Sequence, residues 1–376
     1  MEESIAIARE GIASAGEFGV ERHWGDFLRG ELAGRLVQLG RWREAERLLE
    51  EVIDRSPTGV HAGMAYRCLG YLQVGLGEFD AAARALDRAE QHTRRSLGSM
   101  TLAPPAVARA SLELWAGRPQ AAAAVVSDCL GRVGDGEHVF FTARLYELGA
   151  RACADLAARA PGDDLTKKRQ TVTAERLLER LDGLIARITG LVPPVVLASR
   201  AACAGEYSRI GGGDAALWAD ARRHRETCTN PYQAAYARWR EAEALLASGG
   251  DRPEVEALVR DAHAVADELD AQPLRGELET LARRARIELA HDGPPEPAPN
   301  AAIERLELTP REIAVLGLLA AGLTNREIGT ELFISDKTAS VHVSRILTKL
   351  SVPNRAAAAA AAHHLGLTPA QAASAV

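Results

Sequence analysis

Apolar residues recur along most of this chain at i, i+3, i+4 and i+7, the spacing that lines one face of a helix. After Gly40, for example, Trp42, Ala45, Leu48, Leu49 and Val52 fall on one stripe, while Arg41, Glu44, Arg47 and Glu51 lie outside it. Alanine, leucine, arginine and glutamate are abundant and β-branched runs are few, so propensity also favours helix. The expected fold class is all-α.

A repeated phrase organises these helices. It reads Gly40-Arg-Trp-Arg-Glu-Ala45, then Gly77-Glu-Phe-Asp-Ala-Ala82, then Gly117-Arg-Pro-Gln-Ala-Ala122, with glycines 37 and 40 residues apart. Weaker echoes stand at Gly213-Asp-Ala-Ala216 and Gly250-Asp-Arg-Pro-Glu. Each glycine is expected to end one helix in the left-handed region, which costs glycine little. The alanines that follow suit a close approach of two helices. Such pairs cannot bury their faces alone and must stack on their neighbours. The array predicted in this way runs over residues 1–290. Trp24, Trp115, Trp218, Trp239, Tyr66 and Tyr236 are read as packing residues within it rather than ligand contacts. The first helix, Glu2 to Gly16, reads like the second member of a pair whose first is absent. It is either a polar cap or the remnant of a longer ancestral chain.

Composition narrows the picture. A chain of 376 residues exceeds one ordinary compact domain unless it is a repeat array. Its five cysteines (Cys68, Cys129, Cys153, Cys203 and Cys228) are scattered singly. That spacing argues against a disulfide framework or a structural zinc site, and reads as small buried hydrophobes. No uninterrupted apolar run of about 18 residues occurs, and the chain starts on the acidic Met-Glu-Glu-Ser. The expectation is a cytoplasmic protein with no membrane partner. The net charge is −6, but it is unevenly spread: residues 306–366 hold six basic and five acidic side chains, a net of +1. The acidic excess therefore belongs to the N-terminal region.

After Leu289 the helical pattern stops. His291-Asp-Gly-Pro-Pro-Glu-Pro-Ala-Pro-Asn300 carries four prolines, so residues 291–305 are expected to form a semi-rigid linker. Beyond it, Thr309-Pro-Arg-Glu312 has the form of a capping box and opens a helix lined by Ile313, Leu316, Leu319 and Ala320. Thr324-Asn-Arg-Glu327 repeats the box and starts a short second helix. Ser335-Asp-Lys-Thr338 then starts a third, running to about Leu350. Ala339, Val343, Ile346, Leu347 and Leu350 must face inward on that helix. Ser340, Val341 and Ser344 face the other way, and Lys337, Arg345 and Lys349 add positive charge. A short helix, a tight turn and a longer helix with small polar outer residues suit insertion into a major groove.

The phrases Leu308-Thr-Pro-Arg-Glu, Ala321-Gly-Leu-Thr-Asn-Arg-Glu-Ile328, Leu332-Phe-Ile-Ser-Asp-Lys-Thr338, His342-Val-Ser-Arg-Ile-Leu347 and Lys349-Leu-Ser-Val-Pro-Asn-Arg355 together resemble the LuxR/NarL-type helix-turn-helix. The resemblance implies a four-helix domain over residues 306–368, followed by a tail at 369–376. It makes Thr338 to Arg345 the heart of a recognition helix, with Ser340, Val341 and Ser344 towards base edges. It places Thr324, Asn325, Arg326, Lys337 and Thr338 on the phosphate backbone. Ser335, Arg345 and Lys349 complete the expected DNA-binding set. Relatives often carry lysine where Ser340 and Ser344 stand, so their binding sites do not transfer to this chain. The fourth helix, beginning near Asn354 and containing Ala356 to Ala362, either packs on the first or, as the resemblance implies, pairs two copies on DNA.

The segment Asn230-Pro-Tyr-Gln-Ala-Ala-Tyr-Ala-Arg-Trp-Arg-Glu-Ala-Glu-Ala-Leu-Leu246 resembles the TPR-like repeat region of MalT-like large LuxR-type regulators. Those proteins carry an ATPase, which needs a phosphate loop ending in Gly-Lys. This chain contains no Gly-Lys dipeptide, and no strand–helix alternation of a phosphorylated receiver. No enzyme activity, catalytic residue, cofactor or metal is expected. His363 and His364 are adjacent and point to different sides, and His342 reads as structural or phosphate-facing. The expected function is a sequence-specific DNA-binding transcriptional regulator, with double-stranded DNA and a homodimeric copy as partners. A protein or small-molecule effector is expected at the repeat array. The alternative is a helical-repeat interaction scaffold whose DNA-binding domain is secondary or vestigial.

Overall fold

A computed structural model describes residues 2–55, 58–93, 98–134, 137–289, 309–320, 323–332, 334–350, and 352, 355 and 358. Among these residues it contains seventeen α-helices, one π-helical turn and no strand. The protein is all-α, and it divides into two units, Met1–Leu289 and Ala290–Val376. The proline-rich stretch 291–305, most of the alanine-rich segment after Asn354, and the tail 369–376 lie outside the described residues.

In the first unit, α1 (Glu2–Glu17) precedes a series of helix pairs. These are α2 (Asp26–Gln38) with α3 (Trp42–Asp54), α4 (Gly59–Leu76) with α5 (Phe79–Thr93), and α6 (Ser99–Trp115) with α7 (Pro119–Val133). There follow α8 (Val139–Ala158) with α9 (Asp164–Ala186), α10 (Pro194–Arg209) with α11 (Ala215–Thr227), and α12 (Pro231–Ser248) with α13 (Arg252–Glu268). The series ends on α14 (Gln272–Ala285). The first members of successive pairs, α2, α4, α6, α8 and α10, also pack on one another. This is the arrangement of stacked helical hairpins.

The repeated phrase marks the turn inside a pair. Gly40, Gly77 and Gly117 have φ of +78°, +86° and +73°, and Ala45, Ala82 and Ala122 are fully buried at the start of α3, α5 and α7. The α8–α9 pair lacks the phrase. Its turn uses Gly162 at φ +85° and Asp163, whose carboxylate accepts from the Leu165 and Thr166 N–H groups at 3.1 and 3.0 Å.

The series curls back on itself instead of staying open. Helix α14 packs against α4, and the Trp42 ring lies 5.2 Å from that of Tyr232 at the start of α12. The glycine turns permit this, because a Cβ on Gly40 would come within 2.8 Å of Pro231 Cγ. One core runs through both ends, from Leu36, Leu49 and Leu72 to Val255, Leu274 and Leu278.

Trp218, Trp239 and Tyr236 are buried as expected. Tyr236 meets both indoles edge-on, Trp115 and Trp239 stack at 6.3 Å, and the Arg240 guanidinium lies 3.5 Å from the Trp239 ring centroid. Trp24 departs from expectation. It is 55% exposed, sits in the π-helical turn Glu21–Gly25 and meets the Phe27 ring edge-on.

The second unit contains α15 (Pro310–Ala320), α16 (Asn325–Glu331) and α17 (Asp336–Lys349). They enclose a core of their own, with Ala314, Val315, Leu316, Leu319, Ile328, Ala339, Ile346 and Ala358 buried. The apolar face of α15 is wider than the sequence stripe, since Ala314 and Val315 are also fully buried. Among the described residues, no helix is long and apolar enough to cross a membrane.

Candidate nucleic-acid interface

Both capping boxes form. The Thr309 N–H donates to Glu312 Oε2 at 2.9 Å, and the Glu312 N–H returns a bond to Thr309 Oγ1 at 3.3 Å. The Thr324 N–H donates to Glu327 Oε2 at 2.7 Å, and the Glu327 N–H to Thr324 Oγ1 at 3.4 Å. These bonds satisfy N–H groups that a helix start leaves orphaned. At the head of α17, the Thr338 N–H donates to Ser335 Oγ at 3.1 Å.

Gly329 sets the turn between α16 and α17. Its carbonyl accepts from the Ile334 N–H at 2.9 Å, and a Cβ there would lie 2.8 Å from the Ile334 carbonyl oxygen. Backbone passes so closely over this point that only glycine fits without displacement. The sequence reading did not single Gly329 out. Its signal was a lone glycine inside a seven-residue helix, in Asn325–Glu331.

Helix α17 has one packed and one bare face. Ala339 and Ile346 are fully buried, Val343 is buried, and Leu347 and Leu350 are partly buried against the same core. Lys337, Thr338, Ser340, Val341, Ser344 and Arg345 are exposed, Val341 to 46%. Lys337, Ser340, Val341, Ser344 and Arg345 follow helical spacing and make a continuous stripe on a rod about 21 Å long. The Ser344 hydroxyl donates to the Ser340 carbonyl at 3.0 Å, which keeps that side chain low against the helix.

The basic residues divide into two groups. Arg311 donates to the Leu332 carbonyl, and Arg355 to the Leu323 carbonyl and to Asn325 Oδ1, the latter at 3.1 Å. Lys349 Nζ lies 2.8 Å from Glu312 Oε2, joining the end of α17 to the start of α15. These three cations tie the domain together. By contrast, Arg326, Lys337 and Arg345 have no ion-pair partner among the described residues, and all are exposed. Of the expected DNA-binding set, Thr324, Arg326, Ser335, Lys337, Thr338, Ser340, Val341, Ser344 and Arg345 are surface residues. Asn325 and Lys349 are instead engaged within the domain.

The Glu312 carboxyl is shaped by the same contacts. Burial opposes its charge, but the Lys349 ammonium and the Thr309 donors outweigh that, holding it below the ordinary carboxylate range. His342 is half-buried, and its Nδ1 has no hydrogen-bond partner among the described residues. No group of three or more potential metal ligands occurs among those residues.

Two capped helices joined to a third by a tight glycine turn, with the third presenting a bare polar stripe, constitute a helix-turn-helix. Residues 306–362 match the family described as bacterial regulatory proteins, luxR family, and this segment is a domain of that family. The transcriptional regulatory protein LiaR of Bacillus subtilis is 50% identical over 62 residues, 16% of this chain and 29% of that protein. The DNA-binding transcriptional activator DevR/DosR of Mycobacterium tuberculosis is 45% identical over 58 residues, 15% of this chain and 27% of that protein. A longer similarity reaches into the helical array. The putative HTH-type transcriptional regulator Rv0890c of Mycobacterium tuberculosis is 28% identical over 300 residues, 79% of this chain and 30% of that protein. The chain thus spans less than a third of the length of each of these relatives.

Proposed function

We propose that this chain is a sequence-specific DNA-binding transcriptional regulator, not an enzyme, that acts in the cytoplasm. The observation that carries the reading is the bare stripe of α17, with Lys337 and Arg345 flanking Ser340, Val341 and Ser344. In the groove, Arg326, Lys337 and Arg345 pair with phosphates while the two serines and Val341 meet base edges. Serine bonds either kind of base, and valine touches a thymine methyl. The relatives' printed roles, a transcriptional regulatory protein and a DNA-binding transcriptional activator, support the same reading. Two copies bind together on DNA through the alanine-rich segment after Asn354. The repeat unit senses a partner or small ligand and controls the reader.

An electrophoretic shift with genomic fragments, comparing the full chain with a Lys337→Ala/Arg345→Ala variant, tests this. Each lost phosphate contact removes about 0.9 from the log–log salt slope, so the double variant is expected to bind more weakly with a slope shallower by about 1.8. Equal retardation of both proteins, with equal slopes, would favour a scaffold whose DNA binding is secondary.

A further inference from the structure

Helices α2, α4, α6, α8, α10 and α12, with Trp42 of α3 and Arg225 of α11, line a cavity of about 330 Å³, a size within the range of small-molecule sites. Its walls differ in character. One is apolar, with Trp42, Val107, Phe141 and Val195. The other carries Arg144 and Arg225, both of which bond the single carboxylate of Glu147. Two guanidiniums against one carboxylate leave a surplus positive charge inside the protein. Burial, together with the neighbouring Arg144 charge, holds the Arg225 guanidinium below the usual arginine range, whereas the Glu147 carboxylate holds that of Arg144 above it. Arg225 is only 4% exposed.

A second feature stands beside this pair. Tyr232 lines the same cavity and is 7% exposed, yet its hydroxyl has no hydrogen-bond partner among the described residues. A buried hydroxyl normally finds a partner, but this one is closed off from solvent and so from the cavity. Glu31 is the one carboxylate that lines the cavity among the described residues, and it is exposed.

We propose that this cavity binds a small organic carboxylate with an apolar body. Its carboxylate meets the guanidiniums of Arg144 and Arg225, and its body lies against Trp42, Phe141 and Val195. Arg35 and Arg67 also line the cavity, so its basic side chains outnumber Glu31 and Glu147, and a planar carboxylate fits the guanidinium fork. The apolar wall excludes a bare inorganic anion as the full occupant. The regulatory meaning of this site rests on the sensing role proposed above, but its occupancy does not.

Calorimetric titration of the full chain, without DNA, tests the site using benzoate, 3-phenylpropionate, neutral benzamide and inorganic phosphate. At least one carboxylate is expected to bind with Kd below about 1 mM, and benzamide and phosphate at least about tenfold more weakly. Arg144→Met leaves Arg225 and Glu147 as a balanced pair, and Arg225→Met leaves Arg144 and Glu147 as one. Each is expected to weaken carboxylate binding about tenfold or more while melting like the parent. No carboxylate binding up to about 10 mM, equal binding of benzamide or phosphate, or unchanged affinity in both variants would overturn the proposal. Because no DNA is present, failure here leaves the α17 reading standing. Carboxylate binding without any DNA retardation would count against that reading alone.

Discussion

Single side chains in the C-terminal domain divide between holding the fold and facing outward. Lys349 and Arg355 would both pass, on charge alone, for phosphate contacts. Lys349 is spent on Glu312 and Arg355 on the Leu323 carbonyl and Asn325, while Lys337 and Arg345 remain outward. The Glu312 contact has a pH signature. A carboxyl whose folded-state pKa lies below its ordinary value of 4.5 contributes stability above that value, and this is lost as pH falls through the lower folded pKa. Comparing wild type with Glu312→Gln by denaturant unfolding of the C-terminal unit, the stability gap is expected to be constant above pH 4.5 and to shrink below it. A gap that widens towards acid would contradict this assignment.

Helices obey their neighbours as much as their own propensities. Glycine inside a helix ordinarily costs about 1 kcal/mol relative to alanine. In α10, however, a Cβ on Gly205 would meet the Trp218 ring at 2.8 Å, and Trp218 is fully buried. In α14, a Cβ on Gly276 would meet nothing within 4 Å. Thermal unfolding should therefore separate the two: Gly276→Ala stabilises by up to about 1 kcal/mol, whereas Gly205→Ala destabilises by about 1–3 kcal/mol through overpacking. If both substitutions stabilise, the close packing of α10 on α11 is wrong. The same neighbour effects decide what was legible beforehand. The turn phrase at Gly40, Gly77 and Gly117 and the capping boxes at Thr309 and Thr324 are local, so the sequence displays them. The stripe of α17 was legible for the same reason, as side-chain direction follows from spacing along one helix. The α8–α9 turn was missed because Gly162-Asp163 makes the same bend without the phrase. The internal uses of Asn325 and Lys349 depend on partners 30 and 37 residues away, which periodicity does not reveal.

At the scale of the whole chain, closure of the array is the feature least visible in sequence. Local repeats predict stacking of successive pairs, but not that Tyr232 returns to Trp42 or that α14 reaches α4. That return brings Trp42 and Tyr232 together in the wall of the cavity beside Arg144 and Arg225. The central claim concerns the other unit: the intact protein recognises DNA through the outer stripe of α17. It is tested most directly by a variant that keeps every charge and alters only the reading surface, Ser340→Ala/Val341→Ala/Ser344→Ala. Footprinting of the full chain across genomic DNA should show wild-type protein protecting discrete sites. The triple variant should lose discrimination by at least about tenfold, equivalent to about 1.4 kcal/mol, while keeping the wild-type salt slope. Identical footprints from both proteins would contradict the claim.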